Sequence, residues 1–426
     1  MDRKIKVVLL CHYWSEEMAE MVGTKHYFQE LSPWIQETLN LFKNKDDIEL
    51  HVVAPNYASN HNLECQKDSI SFHFYQYSPI WLSELVVPFI KRFVKHKEPY
   101  KIAERLANTL TGFKTPANSA VKIIRKLNPD LIHLYGSENP DYAASGLKLM
   151  KVFPMLLTLQ GYVCLQQSPS SMLAKRFYYY RVKFERDINN NVKNVTSSKQ
   201  VSIEEFKQNE MHFFDNVENI YFIQAITKVP FIDATLTKKK YDVVYYARID
   251  RNKGIEDLID VVEYLHKNGR SLKALVMGRG SEAYVAKLKE IIKNKKLDVL
   301  IEFAGFVEKH EDVYKLAAQA HLMVLPTHND GIPNTIRESM FMKLPVVANN
   351  VGGIPRFNQK RHCIHMVKLG DREGLANGIC RVLDDEIYRD ELIANAYREA
   401  QEVYSPDAVY EQTLNAYKDM VKQLNK

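Results

Sequence analysis

Asp330 and Glu338 stand eight positions apart, Asp330 inside the polar segment THNDGIPN (327–334) and Glu338 just beyond it. The apolar run LMVLP before that segment reads as a strand, and a helix is predicted from near Thr335, with Glu338 on its first turn. Unsatisfied peptide N–H groups and the positive end of the helix dipole make such a turn an anion site, with phosphate the expected occupant. Gly331 lets the chain approach a ligand, and Pro333 fixes the turn. The two carboxylates would accept hydrogen bonds from sugar or ribose hydroxyls. Upstream, ARIDRNKG (247–254) sets Arg248 and Lys253 after another strand, where two cations would clamp a diphosphate. GRGSEA (278–283) satisfies G-x-G-x-x-A, and NVGGIP (350–355) adds the adjacent Gly352 and Gly353.

Each feature also has a plain structural explanation. Asp330 suits a turn, Glu338 an early helical position, and Arg248 and Lys253 an exposed loop. GRGSEA follows the second strand of its half, and Glu302, 24 residues after Gly278, falls inside a strand. It therefore reads as a tight turn near a nucleotide in preference to a nicotinamide pyrophosphate loop.

The elements that must position these residues are apolar runs alternating with helical periodicity: 5–10, 50–55, 130–135 and 154–159, then 243–247, 273–278, 299–305, 322–326 and 345–349. Such runs predict parallel sheets covered on both faces. A mixed segment, ITKVPFIDATLTKKKY (226–241), separates two groups of strands. The fold class expected is α/β, with two Rossmann-like doubly wound domains at 1–226 and 227–405 and a terminal helix at 406–426. A (β/α)8 barrel fits the irregular spacing less well. That helix carries Val409, Leu414, Tyr417 and Val421 in helical spacing and by itself reads as a C-terminal surface helix.

The chain has 426 residues, 46% hydrophobic and 26% charged, with a formal net charge of +6, too small and too mixed for a dedicated nucleic-acid binder. Five scattered cysteines give neither a disulfide framework nor a zinc pattern, which fits a reducing, cytoplasmic setting. No apolar run approaches the roughly 20 residues of a spanning helix. Residues 91–130 nevertheless carry a net +7 and follow the apolar IWLSELVVPF, and KRFYYYRVKFER (175–186) is a second basic-aromatic block. Segments 80–130 and 172–187 are therefore candidates for peripheral contact with an anionic membrane surface, such as the inner face of the cell membrane. The competing explanation is a set of amphipathic helices whose aromatics enter the core.

From 243 to about 405 the chain resembles the donor domain of retaining glycosyltransferases of the GT-B fold, family 4. The resemblance lies in LPTHNDGIPNTIRESMFMKLPVVANNVGGIP, ARIDRNKG, AGFVEKHEDVYKLAAQAHLMVLP and GDREGLANGICRVLDD. The N-terminal half matches only in outline, through HYW with Gly23 and Thr24 downstream, PDLIHLYGS and PMLLTLQG. The resemblance implies two domains facing across a cleft, the N-terminal one for the acceptor and the C-terminal one for a nucleotide-sugar, most often a UDP-sugar. It implies that Arg248 and Lys253 hold the diphosphate, aided by backbone from Gly331, Ile332, Pro333, Asn334 and Thr335. Glu338 would bind the ribose, Asp330 the transferred sugar, and Phe306 and Val307 would face the base. Gly23 and Thr24 would join the donor site, and the helix at 406–426 would cross back to the N-terminal domain.

The resemblance also implies transfer with retention, no metal and no cofactor beyond the nucleotide-sugar, and a glycan or lipid-linked acceptor in surface polysaccharide assembly. Three positions depart from the family pattern: Asp330 replaces the usual Glu, Ala247 a Gly, and Gln160 a His that contacts the donor sugar. Gln160 hydrogen-bonds but cannot shuttle a proton. His12, His26 and His133 are alternative histidines in that half. Two other functions stay open, a non-catalytic sugar-nucleotide binder or partner subunit and an NAD-dependent oxidoreductase.

Overall fold

A computed structural model describes residues 3–21, 33–93, 99–198, 202–210, 213–227 and 229–424. The chain divides into two compact units, Met1–Gln224 with Val409–Lys426, and Ala225–Ala408.

Unit 1 is built on an eight-stranded sheet in the order β3-β4-β2-β1-β5-β6-β7-β8. Its strands are β1 (Ile5–Leu10), β2 (Ile48–Pro55), β3 (Leu63–Lys67), β4 (Ile70–Tyr75), β5 (Leu131–Tyr135), β6 (Met155–Thr158), β7 (Asn194–Ser197) and β8 (Asn219–Phe222). All neighbours are parallel except β3, which pairs antiparallel with β4 across a turn at Asp68 and Ser69, both at positive φ. The central strands β1 and β5 bury Val8, Leu10, Ile132 and Leu134 completely, as expected for strands covered on both faces. Truncating one of these, for example Leu134→Ala, removes about 2–5 kcal/mol of stability.

The helix Pro406–Leu424 contributes its last four turns to unit 1. Tyr417 bonds to His133 Nδ1 (2.6 Å), and Tyr410 donates to Asp47 (3.0 Å). The apolar periodicity of its sequence is therefore core-facing, with Val409, Leu414 and Tyr417 buried.

Unit 2 is an all-parallel six-stranded sheet, β11-β10-β9-β12-β13-β14. Its strands are β9 (Tyr241–Tyr246), β10 (Ala274–Met277), β11 (Ile301–Gly305), β12 (Ala320–Leu325), β13 (Val346–Asn349) and β14 (His365–Val367). Both units are Rossmann-like. Five strands were not anticipated from the sequence: β3, β4, β7, β8 and β14. Three of these are only three or four residues long, and β3–β4 turn on Asp-Ser without the glycine that usually marks a hairpin.

Candidate functional site

β9, β12 and β13 lie side by side in unit 2, so the loops at their carboxyl ends bring most of the predicted residues together. The loop after β9 closes in a 3-10 turn, Arg251–Lys253, in which Asp250 accepts from the Lys253 amide (3.0 Å). Gly254 follows at φ +72°, and a Cβ there would sit 1.8 Å from the Pro326 carbonyl oxygen. The Asn252 carbonyl accepts from the His328 amide (2.7 Å) and the Thr327 hydroxyl (2.9 Å), while its side-chain amide donates to the Asn329 carbonyl (3.0 Å). This lacing sets the ammonium of Lys253 against the carboxylate of Asp330 in an ion pair. Arg248 reaches outward, with Asp250 at 3.7 Å.

The loop after β13 braces the same turn. The Gly353 amide donates to the Asp330 carbonyl (2.9 Å). A Cβ on Gly352 would lie 2.0 Å from that oxygen, and one on Gly353 2.0 Å from the Gly331 carbonyl. Gly331 itself faces open space, with nothing within 4 Å of an added Cβ. The tightly packed glycines are therefore 352 and 353, whereas Gly331 borders open space.

The helix after β12 spans Asn334–Phe341, with Pro333 at its N-cap and no side-chain cap bond. Its first-turn amides at Asn334 and Thr335 thus keep the donor capacity that an anion would use, with Ile332 and Pro333 leading into them. Glu338 is the fifth helical residue and so stands on the second turn, one turn later than the sequence suggested, because the helix begins at Asn334. It is half-buried, and burial pushes its carboxyl above the ordinary glutamate range, opposed by His310, the Tyr314 hydroxyl and Arg337. Tyr246 fixes this helix by donating to the Thr335 carbonyl (2.8 Å) beside the Ser339 hydroxyl (2.7 Å).

At the end of β11, Phe306 is exposed and Val307 packs on the core edge. The Arg279 guanidinium lies over the Phe306 ring, 4.2 Å from its centroid. The spacing of GRGSEA does not single out Arg279, whose contact with Phe306 forms only when β10 and β11 pair. Those glycines serve packing: a Cβ on Gly278 would lie 1.8 Å from the Ala247 carbonyl oxygen and one on Gly280 2.7 Å from that of Ile249. Ser281 caps the next helix through the Tyr284 amide. The glycines of the motif are thereby explained by loop-on-loop contact.

In unit 1, Gln160 is exposed beyond β6 and lines a cavity of about 540 Å³ together with His12 and Tyr57. Burial pulls the His12 imidazole down to about 4, so it is neutral at physiological pH. His133 is held between Tyr417 and the Thr158 hydroxyl (2.7 Å) and is structural. Gly23, Thr24 and His26 lie outside the described residues. Among the described residues no helix is long and apolar enough to cross a membrane.

Comparison with known proteins bears on the strand-end cluster of unit 2. Residues 231–399 match the family glycosyl transferases group 1. Within that group 1 segment fall Arg248, Lys253, Phe306, Asp330 and Glu338. Curated relatives include alpha-D-kanosaminyltransferase of Streptomyces kanamyceticus, 26% identical over 42% of this chain and 45% of that protein. The capsular polysaccharide biosynthesis glycosyltransferase CapM of Staphylococcus aureus is 22% identical over 44% of this chain and 48% of its own length. The matched segment thus spans less than half of each of these relatives. Among solved structures, sucrose-phosphate synthase from Thermosynechococcus elongatus has a TM-score of 0.58 at 17% identity, covering 99% of this chain and 100% of that one. Anabaena HepE in complex with UDP has a TM-score of 0.56 at 15% identity, covering 98% and 100%. These structural likenesses establish the fold.

Proposed function

We propose that this protein is a glycosyltransferase that moves a sugar from a nucleotide-sugar, with UDP as the favoured nucleotide, to a glycan or lipid-linked acceptor with retention, in surface polysaccharide assembly. The observation that carries this reading is the convergence, within a glycosyl transferases group 1 segment, of an exposed Arg248, the Lys253–Asp330 pair, an uncapped helix N-terminus and a partly buried Glu338 at adjoining strand ends.

Chemically, two cations and helix amides stabilise the negative charge that develops on a diphosphate leaving group. In this reading they do so without a metal, and the nucleotide-sugar is a co-substrate with no further cofactor. Asp330 accepts from hydroxyls of the transferred sugar, Glu338 accepts from ribose hydroxyls, and the Phe306–Val307 backbone faces the base. Gln160 hydrogen-bonds the donor sugar or its acceptor without moving a proton. HepE, solved with UDP, and the capsular relative CapM favour a UDP-sugar and a polysaccharide acceptor.

The enzyme would work at an anionic membrane face. On the helix Ile80–Phe93, Trp81, Leu85 and Phe89 form a stripe at four-residue spacing, 68%, 69% and 69% exposed, next to Lys91 and Arg92. The second block divides differently: Tyr179 is exposed while Phe184 is buried. Co-sedimentation with anionic vesicles that is no stronger than with neutral ones would end the membrane part of the proposal.

Calorimetric titration with UDP, GDP, ADP and NADH tests the donor site. Selective binding of one nucleoside diphosphate, lost in Glu338→Ala and weakened in Arg248→Ala, is the expected result, followed by turnover with the matching nucleotide-sugar. Binding of NADH alone would overturn the assignment. Nucleotide-sugar binding without turnover across a broad acceptor panel would favour a non-catalytic binder, the reading that Gln160 motivates.

A further inference from the structure

The cavity of unit 1 is lined entirely by residues of that unit and has a chemistry of its own. Lys101 and Arg105 stand one turn apart on the helix Pro99–Thr111, and Phe177 and Arg181 one turn apart on the helix Met172–Asn189. The two helix faces meet where the Arg105 guanidinium lies 5.0 Å from the Phe177 ring centroid. Arg181 is anchored by its Nε–H to the Glu138 carbonyl oxygen (3.1 Å). Three cations thus line one pocket of about 540 Å³, large enough for a phosphorylated monosaccharide.

The pocket also holds two acids, Asp141 with the Arg105 charge nearby and Glu138 with that of Arg181, so that three cations face two carboxyl groups. The Asp141 carboxylate accepts from the Tyr57 hydroxyl (2.9 Å), and burial pushes it up to about 6. Burial likewise raises Glu138. Its Oε2 is buried without a hydrogen-bond partner, folded over Gly136, where a Cβ would sit 2.6 Å from it. A buried acceptor without a donor is costly, and a ligand hydroxyl would satisfy it. Tyr57 and Phe177 supply apolar walls of the kind that pack against a sugar ring.

We infer that this cavity binds the acceptor through an anionic end group of the phosphate type attached to a sugar, with Lys101, Arg105 and Arg181 on the phosphate and Glu138 on a sugar hydroxyl. A carboxylate, with two oxygens, would leave much of this donor set unused, whereas the oxygens of a phosphate engage it. The assignment rests on the glycosyltransferase reading for the word acceptor, but the cavity shares no residue with the proposed nucleotide site.

The test uses the full chain saturated with UDP, so that phosphate groups cannot report on the nucleotide site. Glucose 1-phosphate, N-acetylglucosamine 1-phosphate, the two free sugars and inorganic phosphate are titrated by calorimetry. At least one sugar phosphate should bind ten-fold or more tightly than its free sugar and than inorganic phosphate. Lys101→Gln and Arg181→Gln should each weaken it at least five-fold with UDP affinity and melting temperature unchanged, and Arg105→Gln, on an exposed residue, gives a third reading should either variant fold poorly. A free sugar phosphate and a lipid-borne one are told apart by adding a polyprenyl diphosphate-linked sugar in detergent: tighter binding than the soluble probe assigns the lipid form, equal binding the soluble form. Absence of sugar-phosphate binding at millimolar concentration, equal binding of sugar and sugar phosphate, or indifference to all three substitutions would overturn the inference. Loss of UDP binding in Glu338→Ala is read separately and bears only on the donor site.

Discussion

Lys253 and Asp330 form an ion pair across 77 residues of sequence, their side chains only 14% and 16% exposed. A pair so shielded from solvent holds the loop after β9 against the turn after β12, and it keeps a cation and a carboxylate together where a diphosphate and a sugar are proposed to meet. Removing one partner leaves the other poorly solvated. Lys253→Ala and Asp330→Ala should each lower unfolding free energy by about 1–3 kcal/mol, below the 3–5 typical of a fully buried pair. The double variant should lose less than the sum, as read by urea denaturation. Additive losses would show that the pair is not coupled.

Arg248, by contrast, is 73% exposed, and its pairing with Asp250 at 3.7 Å is too loose to stabilise the fold. Arg248→Ala should change stability by less than about 0.5 kcal/mol. UDP affinity should fall about ten- to a hundred-fold, the worth of a charge-assisted hydrogen bond to phosphate. An unchanged dissociation constant would remove Arg248 from the diphosphate site.

Glu338 carries a raised pKa, so the folded protein keeps a proton that the unfolded chain has released. Its contribution to stability is therefore lost as pH rises from the ordinary glutamate value of about 4.3 through the raised one. The groups facing it are His310, Tyr314, Arg337 and Tyr246. Hydroxyl donors prefer the ionised carboxylate, so UDP affinity should weaken on acidification before an ordinary glutamate would protonate. In Glu338→Gln that pH dependence should vanish, with affinity at pH 7.5 reduced about ten-fold or more. An identical pH dependence in wild type and Glu338→Gln from pH 7.5 down to about pH 4.3, the ordinary glutamate value, would contradict the role.

Glycine substitutions separate scaffold from ligand space. Gly352→Ala must displace the Asp330 carbonyl, 2.0 Å from the new Cβ, and strain a φ of +55°. A loss of at least about 1–3 kcal/mol is expected in thermal or urea unfolding. Gly331→Ala meets open space. It should melt like the wild type yet bind UDP-sugar more weakly, and equal melting temperatures for Gly352→Ala and wild type would refute the packing argument.

Asp141 gives a second pH signature. Its pKa is pushed up to about 6 chiefly by burial, with the Tyr57 hydroxyl, Arg105 and Asn108 favouring the charged form and Glu104 nearby. Because the folded state binds the extra proton, stability from this group is present below about pH 4 and lost as pH climbs through about 6. Relative to wild type, Asp141→Asn should gain a few °C in melting temperature between pH 4 and pH 7.5. A difference that does not vary with pH would show that Asp141 ionises normally.

The amino-acid sequence by itself determined the strand-helix alternation, two α/β units and a strand-end site in the second. The long apolar runs announce buried parallel strands, and ARIDRNKG and THNDGIPN place their charges directly after such runs, so chain connectivity already puts them at carboxyl ends. The short polar strands NVTS and HMV carry no such pattern, because their pairing depends on neighbours already in place. Only the tertiary structure decided that Lys253 pairs with Asp330, that Gly352 and Gly353 are the packed glycines, and that GRGSEA is a loop contact presenting Arg279 to Phe306. It alone gathered Lys101, Arg105, Arg181 and Glu138, drawn from three separate segments, around one cavity. Side-chain convergence of that kind follows from how helices lie on a sheet, and neither periodicity nor spacing along the chain encodes it.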